Sequence, residues 1–235
     1  MIIDVHGHTT APQALYGYNY GLIANRGDFG QGDPGISDAD IEKALTRHLA
    51  LMDEYGIDLQ LIPPRPWGIP NAETSEKIVG WMAAAANNVI ARQVTMYPTR
   101  FQGMAGLPQT TGVSPANCTE ELERCVMELG FVGCMINPDP GEGDQQTPGM
   151  GEEFWYPLYE KMVELDVPGL IHTGGCRTGR ESQSEHFITE ESIAALSILR
   201  SSLFRDFPSL KLIIAHGGGS LPYQVGRYRG SRAYL

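Results

Sequence analysis

The chain has 235 residues, 42% of them hydrophobic, a formal net charge of −11 and four cysteines. That length and apolar share build one domain with a substantial core and exclude wholesale disorder. The acidic balance argues against a nucleic-acid or anionic-membrane surface, and no 18-residue apolar run exists to span a bilayer.

Met1 to Val5 reads as a buried strand, with β-branched Ile2, Ile3 and Val5, and it runs into His6-Gly7-His8. Alternate side chains of a strand share a face, so the two imidazoles project the same way, and Gly7 adds nothing to crowd them. Two imidazoles at a strand's C-terminal end can hold one divalent ion, zinc or a similar metal. Residues 9–36, rich in Gly and Tyr, read as one long active-site loop, a lid or pocket wall. Ser37 reads as a helix N-cap with Asp38 and Asp40 in the first turn, and the helix ends at Gly56. His48 lies on that helix and reads as structural.

Ile57 to Ile62 is a second strand, followed by Pro63-Pro64-Arg65-Pro66, a rigid loop with one arginine. A helix from about Glu73 to Tyr97 leads to a third strand over Arg100 to Leu107. Ser114-Pro115 opens a helix that ends at Gly130. Phe131 to Ile136 is the fourth strand, with Asn137 at its end. A helix from about Glu153 to Leu165 precedes the fifth strand, Pro168 to Ile171, which ends at His172. A polar loop to about Phe187 and a helix from Thr189 to Phe204 follow. Leu210 to Ala215 is the sixth strand, ending at His216-Gly217-Gly218-Gly219, and Pro222 starts a last helix.

Strand and helix alternate six times, the pattern of a parallel α/β fold. His6, His8, Arg65, Asn137, His172 and His216 all sit just after strands. In a barrel of βα units the active site lies at that C-terminal face, whereas a doubly wound sheet concentrates its site at one switch point. The spread favours a (β/α)8 TIM barrel, and six strands rather than eight imply one truncated after the sixth strand. The expectation is a single barrel domain over residues 1–235.

His6, His8 and His172 supply three nitrogen ligands, which with water make the open arrangement of a catalytic metal site. Zinc is the first expectation and manganese the alternative. His216 is placed to act as acid, base or water-orienting group. Arg65, pinned among prolines, is the strongest candidate carboxylate clamp, with Asn137, His186 and Arg227 as further substrate-binding candidates. Arg177 and Arg180 are weaker ones. The bare amides of Gly217 to Gly219 could receive an anionic oxygen. Cys118, Cys125, Cys134 and Cys176 form no Cys-x-x-Cys pair and read as reduced thiols. With no basic, apolar leader at the start, they point to the cytoplasm.

Asp4-Val5-His6-Gly7-His8, Ile171-His172-Thr173-Gly174 and Ala215-His216-Gly217-Gly218-Gly219 resemble the amidohydrolase superfamily. The branch is that of the aminocarboxymuconate-semialdehyde and resorcylate decarboxylases and the 4-oxalomesaconate hydratases. The hydratases are the better match over Met1 to Ala14, Gly130 to Pro140, Trp155 to Leu165 and His216 to Gly230. The resemblance implies a metal-dependent lyase that adds water to an unsaturated oxo-carboxylic acid in protocatechuate breakdown, working as a homo-oligomer, commonly a dimer. It implies a divalent metal on His6, His8 and His172 and a catalytic His216. Decarboxylation of an aromatic or muconate-type acid, and hydrolysis of an amide or lactone, are the alternatives. A non-catalytic barrel is a further one. Two departures stand out. The branch also uses an acidic residue from an eighth strand, and Phe187 falls where a hydratase would carry tyrosine.

Overall fold

A computed structural model describes residues 1–72, 75–144 and 146–231, with the side chain of Ser231 left aside. The described residues form seven short strands, all parallel: β1 (Ile3–Asp4), β2 (Leu59–Ile62), β3 (Phe101–Gly103), β4 (Ala105–Gly106), β5 (Cys134–Ile136), β6 (Gly169–Ile171) and β7 (Leu212–Ile214). They pair as β1-β2-β3 and as β4-β5-β6-β7. β3 and β4 are two halves of the strand expected over Arg100 to Leu107, broken at Met104. The first half pairs with β2 through Gln60 opposite Phe101, and the second with β5 through Ala105 opposite Cys134. Six strand positions therefore follow one another in sequence order. That order belongs to a barrel; a doubly wound sheet reverses direction at its switch point.

Helices fill the connections: α1 (Gln13–Ala24), α2 (Asp38–Glu54), α3 (Glu76–Met96), α4 (Thr119–Met127), α5 (Tyr156–Glu164), α6 (Gln183–Arg200), α7 (Leu203–Asp206) and α8 (Leu221–Ser231). Ser37 caps α2 as expected: its hydroxyl accepts from the Asp40 amide and the Asp40 carboxylate accepts in return. The main core lies between helices and strands, where Ile41, Leu45, Ile62, Phe101, Leu122, Trp155 and Tyr159 are buried. Asn87 of α3 grips the sheet, donating to the Gly106 carbonyl and accepting from its amide, at 2.9 and 2.8 Å. No helix among the described residues is long and apolar enough to cross a membrane.

Three expectations need correction. Ile2, Ile3 and Val5 are 57%, 45% and 41% exposed rather than buried. β1 pairs with β2 on one side and with no other described strand, which leaves its other edge uncovered by the described sheet. Residues 9–36 are not one continuous loop, because Gln13–Ala24 forms α1 and buries Leu15, Asn19 and Leu22. Its tyrosines and glycines are weak helix formers, and its stability comes from packing on α3. The polar loop expected to reach Phe187 ends earlier. Ser182 and Glu185 form a reciprocal cap, so α6 starts at Gln183 and carries His186 and Phe187 on the helix. The expected helix start at Glu73 lies outside the described residues, and the described helix begins at Glu76.

Candidate metal centre

β1 delivers His6 and His8, β6 ends next to His172, and β7 is followed by His216. Ring centroids of His6 lie 5.5, 4.9 and 4.7 Å from those of His8, His172 and His216. His8 and His172 are 4.9 Å apart by the same measure. Four imidazoles from three strand ends therefore share one place, although positions 8 and 172 are 164 residues apart. Gly7 fits closely between the first two, against the Gln60 side chain. A Cβ there would fall 2.3 Å from Cδ of Gln60.

The protons on these rings can be placed from their partners. Nδ1 of His8 faces the Pro64 carbonyl at 3.1 Å, and Nδ1 of His172 faces the Thr173 carbonyl at 2.8 Å. A carbonyl oxygen only accepts, so each Nδ1 carries hydrogen and donates. In the neutral ring the lone pair then sits on Nε2, and the two Nε2 atoms stand 3.2 Å apart. Two bare lone pairs at that distance repel each other unless a cation lies against both. Two nitrogens bound tetrahedrally to one metal at about 2.0–2.1 Å stand about 3.3 Å apart. One nitrogen from each of His6, His8 and His172 fits within a 4.8 Å group. The donor set therefore fits a divalent ion, and each backbone carbonyl orients its imidazole as ligand partners do in metal sites.

Burial keeps the rings neutral and ready to bind. It pushes His8 down to about 4, helped by His6 and by the positive charge of Arg65. It pushes His172 down to about 3, with His8 adding to the effect. His6 is lowered as well, by burial and then by His216. Behind the pair runs a polar chain. Thr10 donates to Nδ1 of His48 at 3.0 Å, His48 Nε2 donates to Gln60 at 2.5 Å, and Gln60 donates to Asp4 at 2.6 Å. Asp4 also accepts the His6 amide at 3.0 Å. His48, read as structural, thus braces the turn that presents His6.

His216 sits at φ +47°, a left-handed conformation that a non-glycine residue adopts at a cost of about 1 kcal/mol or more. Gly217, Gly218 and Gly219 continue with positive φ, and a Cβ on Gly219 would strike the Ile188 carbonyl at 2.5 Å. The turn is packed tightly onto α6, and two of its amides are already engaged. Gly218 donates to Ala215 at 2.9 Å and Ser220 to Ser192 at 2.8 Å. Nδ1 of His216 meets both carboxylate oxygens of Glu191, at 2.8 and 2.9 Å. Glu191 is 0% exposed; burial raises its carboxyl, and the bond to His216 pulls it back down. Phe187 lies flat against His216, centroids 5.4 Å apart and planes 6° apart, and edge-on to His172 at 5.3 Å.

Glu191 is the site residue that sequence reasoning missed. A signal existed: Phe187, Glu191, Ala194, Ala195 and Ile198 fall on one stripe of α6, and a carboxylate inside an apolar stripe needs a buried partner.

The remaining candidates divide. Arg65 follows β2, lies over the Trp67 ring at 5.5 Å, and its charge reaches His8. Asn137 is buried and its amide is engaged: it donates to Asn71 at 3.1 Å and accepts from the Asp139 amide at 3.0 Å. Gln109 clasps its backbone from both sides at 2.8 Å. His186 is buried but engages Glu181 at 3.0 Å; its neighbour Phe187 is the one against the histidines. Arg227 is exposed on α8. Arg177 pairs with Glu142 at 3.1 Å. All four cysteines are free thiols.

The sequence pattern of the amidohydrolase family matches residues 3–233. The chain belongs to the amidohydrolase family. This amidohydrolase is 41% identical to a 2-keto-4-carboxy-3-hexenedioate hydratase of Sphingobium sp. strain NBRC 103272 / SYK-6, over 98% of the chain and 69% of the relative. The structure of a 4-oxalomesaconate hydratase from Rhodopseudomonas palustris superposes with a TM-score of 0.86 at 38% identity, covering 98% of the chain and 67% of that one. A dihydroxybenzoic acid decarboxylase from Polaromonas sp. JS666, solved with bound manganese and 2-nitroresorcinol, gives 0.72 at 26% identity, covering 100% and 70%. The amidohydrolase spans about 60% of the length of a curated gamma-resorcylate decarboxylase that it matches at 33% identity. Its parallel α/β architecture is that of the amidohydrolase barrels, and its relatives include hydratases and decarboxylases of the family, both of them lyases.

Proposed function

We propose that this amidohydrolase is a metal-dependent hydratase that adds water to an unsaturated oxo-carboxylic acid of the kind released in aromatic-compound (protocatechuate) degradation. The observation that carries the reading is the pair of bare Nε2 atoms of His8 and His172, 3.2 Å apart, with His6 and His216 beside them. The hydratase relatives, at 41% and 38% identity, set the substrate class.

His6, His8 and His172 would hold the ion, zinc by their all-nitrogen character, with the manganese of the Polaromonas structure marking the alternative. When bound, a divalent ion supplies Lewis-acid chemistry, polarising a substrate oxygen and making water more acidic. His216 handles the proton. Its Nδ1–H is anchored on Glu191, so Nε2 is the nitrogen left to take a proton from water. The water oxygen bonds to the alkene carbon β to the keto group, the electron pair moves toward the keto oxygen, and the proton returns to the α carbon. The Glu191 carboxylate steadies the imidazolium in between. Arg65 is the candidate partner for a substrate carboxylate, while Asn137 braces the loops around the site. The free thiols suit a reducing compartment, the cytoplasm.

Phe187 favours a second reading. Against His216 and His172 it offers no hydroxyl, where the hydratase resemblance implies one, so decarboxylation of an aromatic or muconate-type acid is the alternative. The test is to supply metal-loaded protein with 2-keto-4-carboxy-3-hexenedioate and follow the ultraviolet absorbance of the conjugated system. Loss of absorbance without carbon dioxide release supports hydration. Carbon dioxide release from 2,6-dihydroxybenzoate with no change in the oxo-acid selects the decarboxylase.

A further inference from the structure

A cavity of about 670 Å³ opens between α6 and the loop after β5. Asp139, Glu181, His186, Thr189 and Glu190 line it. A ring nitrogen of His186 and one carboxylate oxygen each from Asp139 and Glu190 all lie within 4.8 Å of one another. His186 is 2% exposed, and its two nitrogens differ. Nδ1 bonds to Glu181 at 3.0 Å, whereas Nε2 is buried with no hydrogen-bond partner. A carboxylate on Nδ1 leaves Nε2 as the nitrogen free to ligate, the arrangement that fixes histidines in metal sites.

We propose that Asp139, His186 and Glu190 form a second divalent-cation site, for an ion of the Mn2+ or Zn2+ class, separate from the His6–His8–His172 centre. One nitrogen and two carboxylates are a donor set such ions accept, and the cavity leaves room for water on the remaining positions. The like charges favour a neutralising partner there. Two carboxylates face each other in partial burial, and burial together with Asp139 pushes Glu190 up to about 7. The Asp139 carboxylate is held in place, accepting from the Gly141 amide at 3.2 Å, the Gly143 amide at 2.5 Å and the Thr147 hydroxyl at 3.0 Å. The companion group of Cys176, Glu181 and His186 shares the ring, whose Nδ1 is bonded to Glu181. An ion here ties the loop after β5 to α6. That helix carries Phe187 and Glu191, so the second site steadies the residues that support His216 and His172.

The test counts bound Mn2+ by equilibrium dialysis and electron paramagnetic resonance, a readout independent of turnover and of the hydratase reading. Wild-type protein should hold two ions per chain. Glu190→Gln, nearly the same in shape, should hold one, or bind the second about tenfold or more weakly. His8→Ala/His172→Ala should also hold one, and adding Glu190→Gln to it should remove that ion. Circular dichroism checks that each variant is folded. Equal binding by wild type and Glu190→Gln overturns the proposal, as does a folded His8→Ala/His172→Ala protein that binds no Mn2+. In either case a proton, not a metal, neutralises the cluster.

Discussion

Glu191, fully buried in α6, places both carboxylate oxygens within 2.9 Å of Nδ1 of His216, 25 residues further along the chain. That contact fixes the tautomer and the angle of the imidazole. Glu191→Gln keeps an acceptor but loses the charge. Its kcat should fall about 10–100-fold with little change in KM, and the acidic limb of the pH profile, where the base is protonated, should move. His216→Asn should lose about 10²–10⁴-fold. If Glu191→Gln turns over as fast as wild type with an unchanged profile, the carboxylate does not position the base.

Neutral, buried imidazoles predict a direction with pH. His8 at about 4 and His172 at about 3 lie below the ordinary value of 6.5, so between those limits the unfolded chain binds more protons than the folded one. Stability of the metal-free protein is therefore full above about 6.5 and drains away as pH falls toward 4 and then 3. Metal held by these rings should also persist at pH 5.5, where free imidazole is mostly protonated. Thermal melts and metal retention across pH 4–8 check both. A melting temperature that rises on acidification contradicts the assignment.

Gly7 is predicted to tolerate no side chain. Gly7→Ala should destabilise by about 1–3 kcal/mol and loosen the metal, because the added carbon meets Gln60, which links Asp4 to His48. Denaturant unfolding with and without metal measures it. A silent substitution means that Gln60 shifts freely.

Much of this was legible in the sequence. Six strand positions and their order follow from apolar runs and the turn residues between them. His6, His8, His172 and His216 follow from their places just after strands. The rest depends on contacts across the fold. The exposure of Ile2, Ile3 and Val5 is set by which neighbours β1 has, and apolar composition alone cannot supply that. The start of α6 is hidden because Gln183, Ser184 and Glu185 are polar, so the helical period begins only after the cap. Asn137 looked available at a strand end, yet Asn71, Gln109 and the Asp139 amide occupy it.

Phe187 offers a gain-of-function test. Its ring stacks on His216, so Phe187→Tyr carries a hydroxyl on the same flat ring. If hydration is the native reaction or close to it, the variant should hydrate the oxo-acid about tenfold or more faster, while Phe187→Leu should not. No gain in either variant, with carbon dioxide release unchanged, points to the decarboxylase.

The centre itself is tested most directly by anomalous X-ray scattering from crystals grown with zinc or manganese. A strong peak is expected about 2.0–2.2 Å from Nε2 of both His8 and His172, with His6 in the same coordination sphere. Well-ordered crystals with no peak between those rings, or with a peak held by other residues alone, would contradict it.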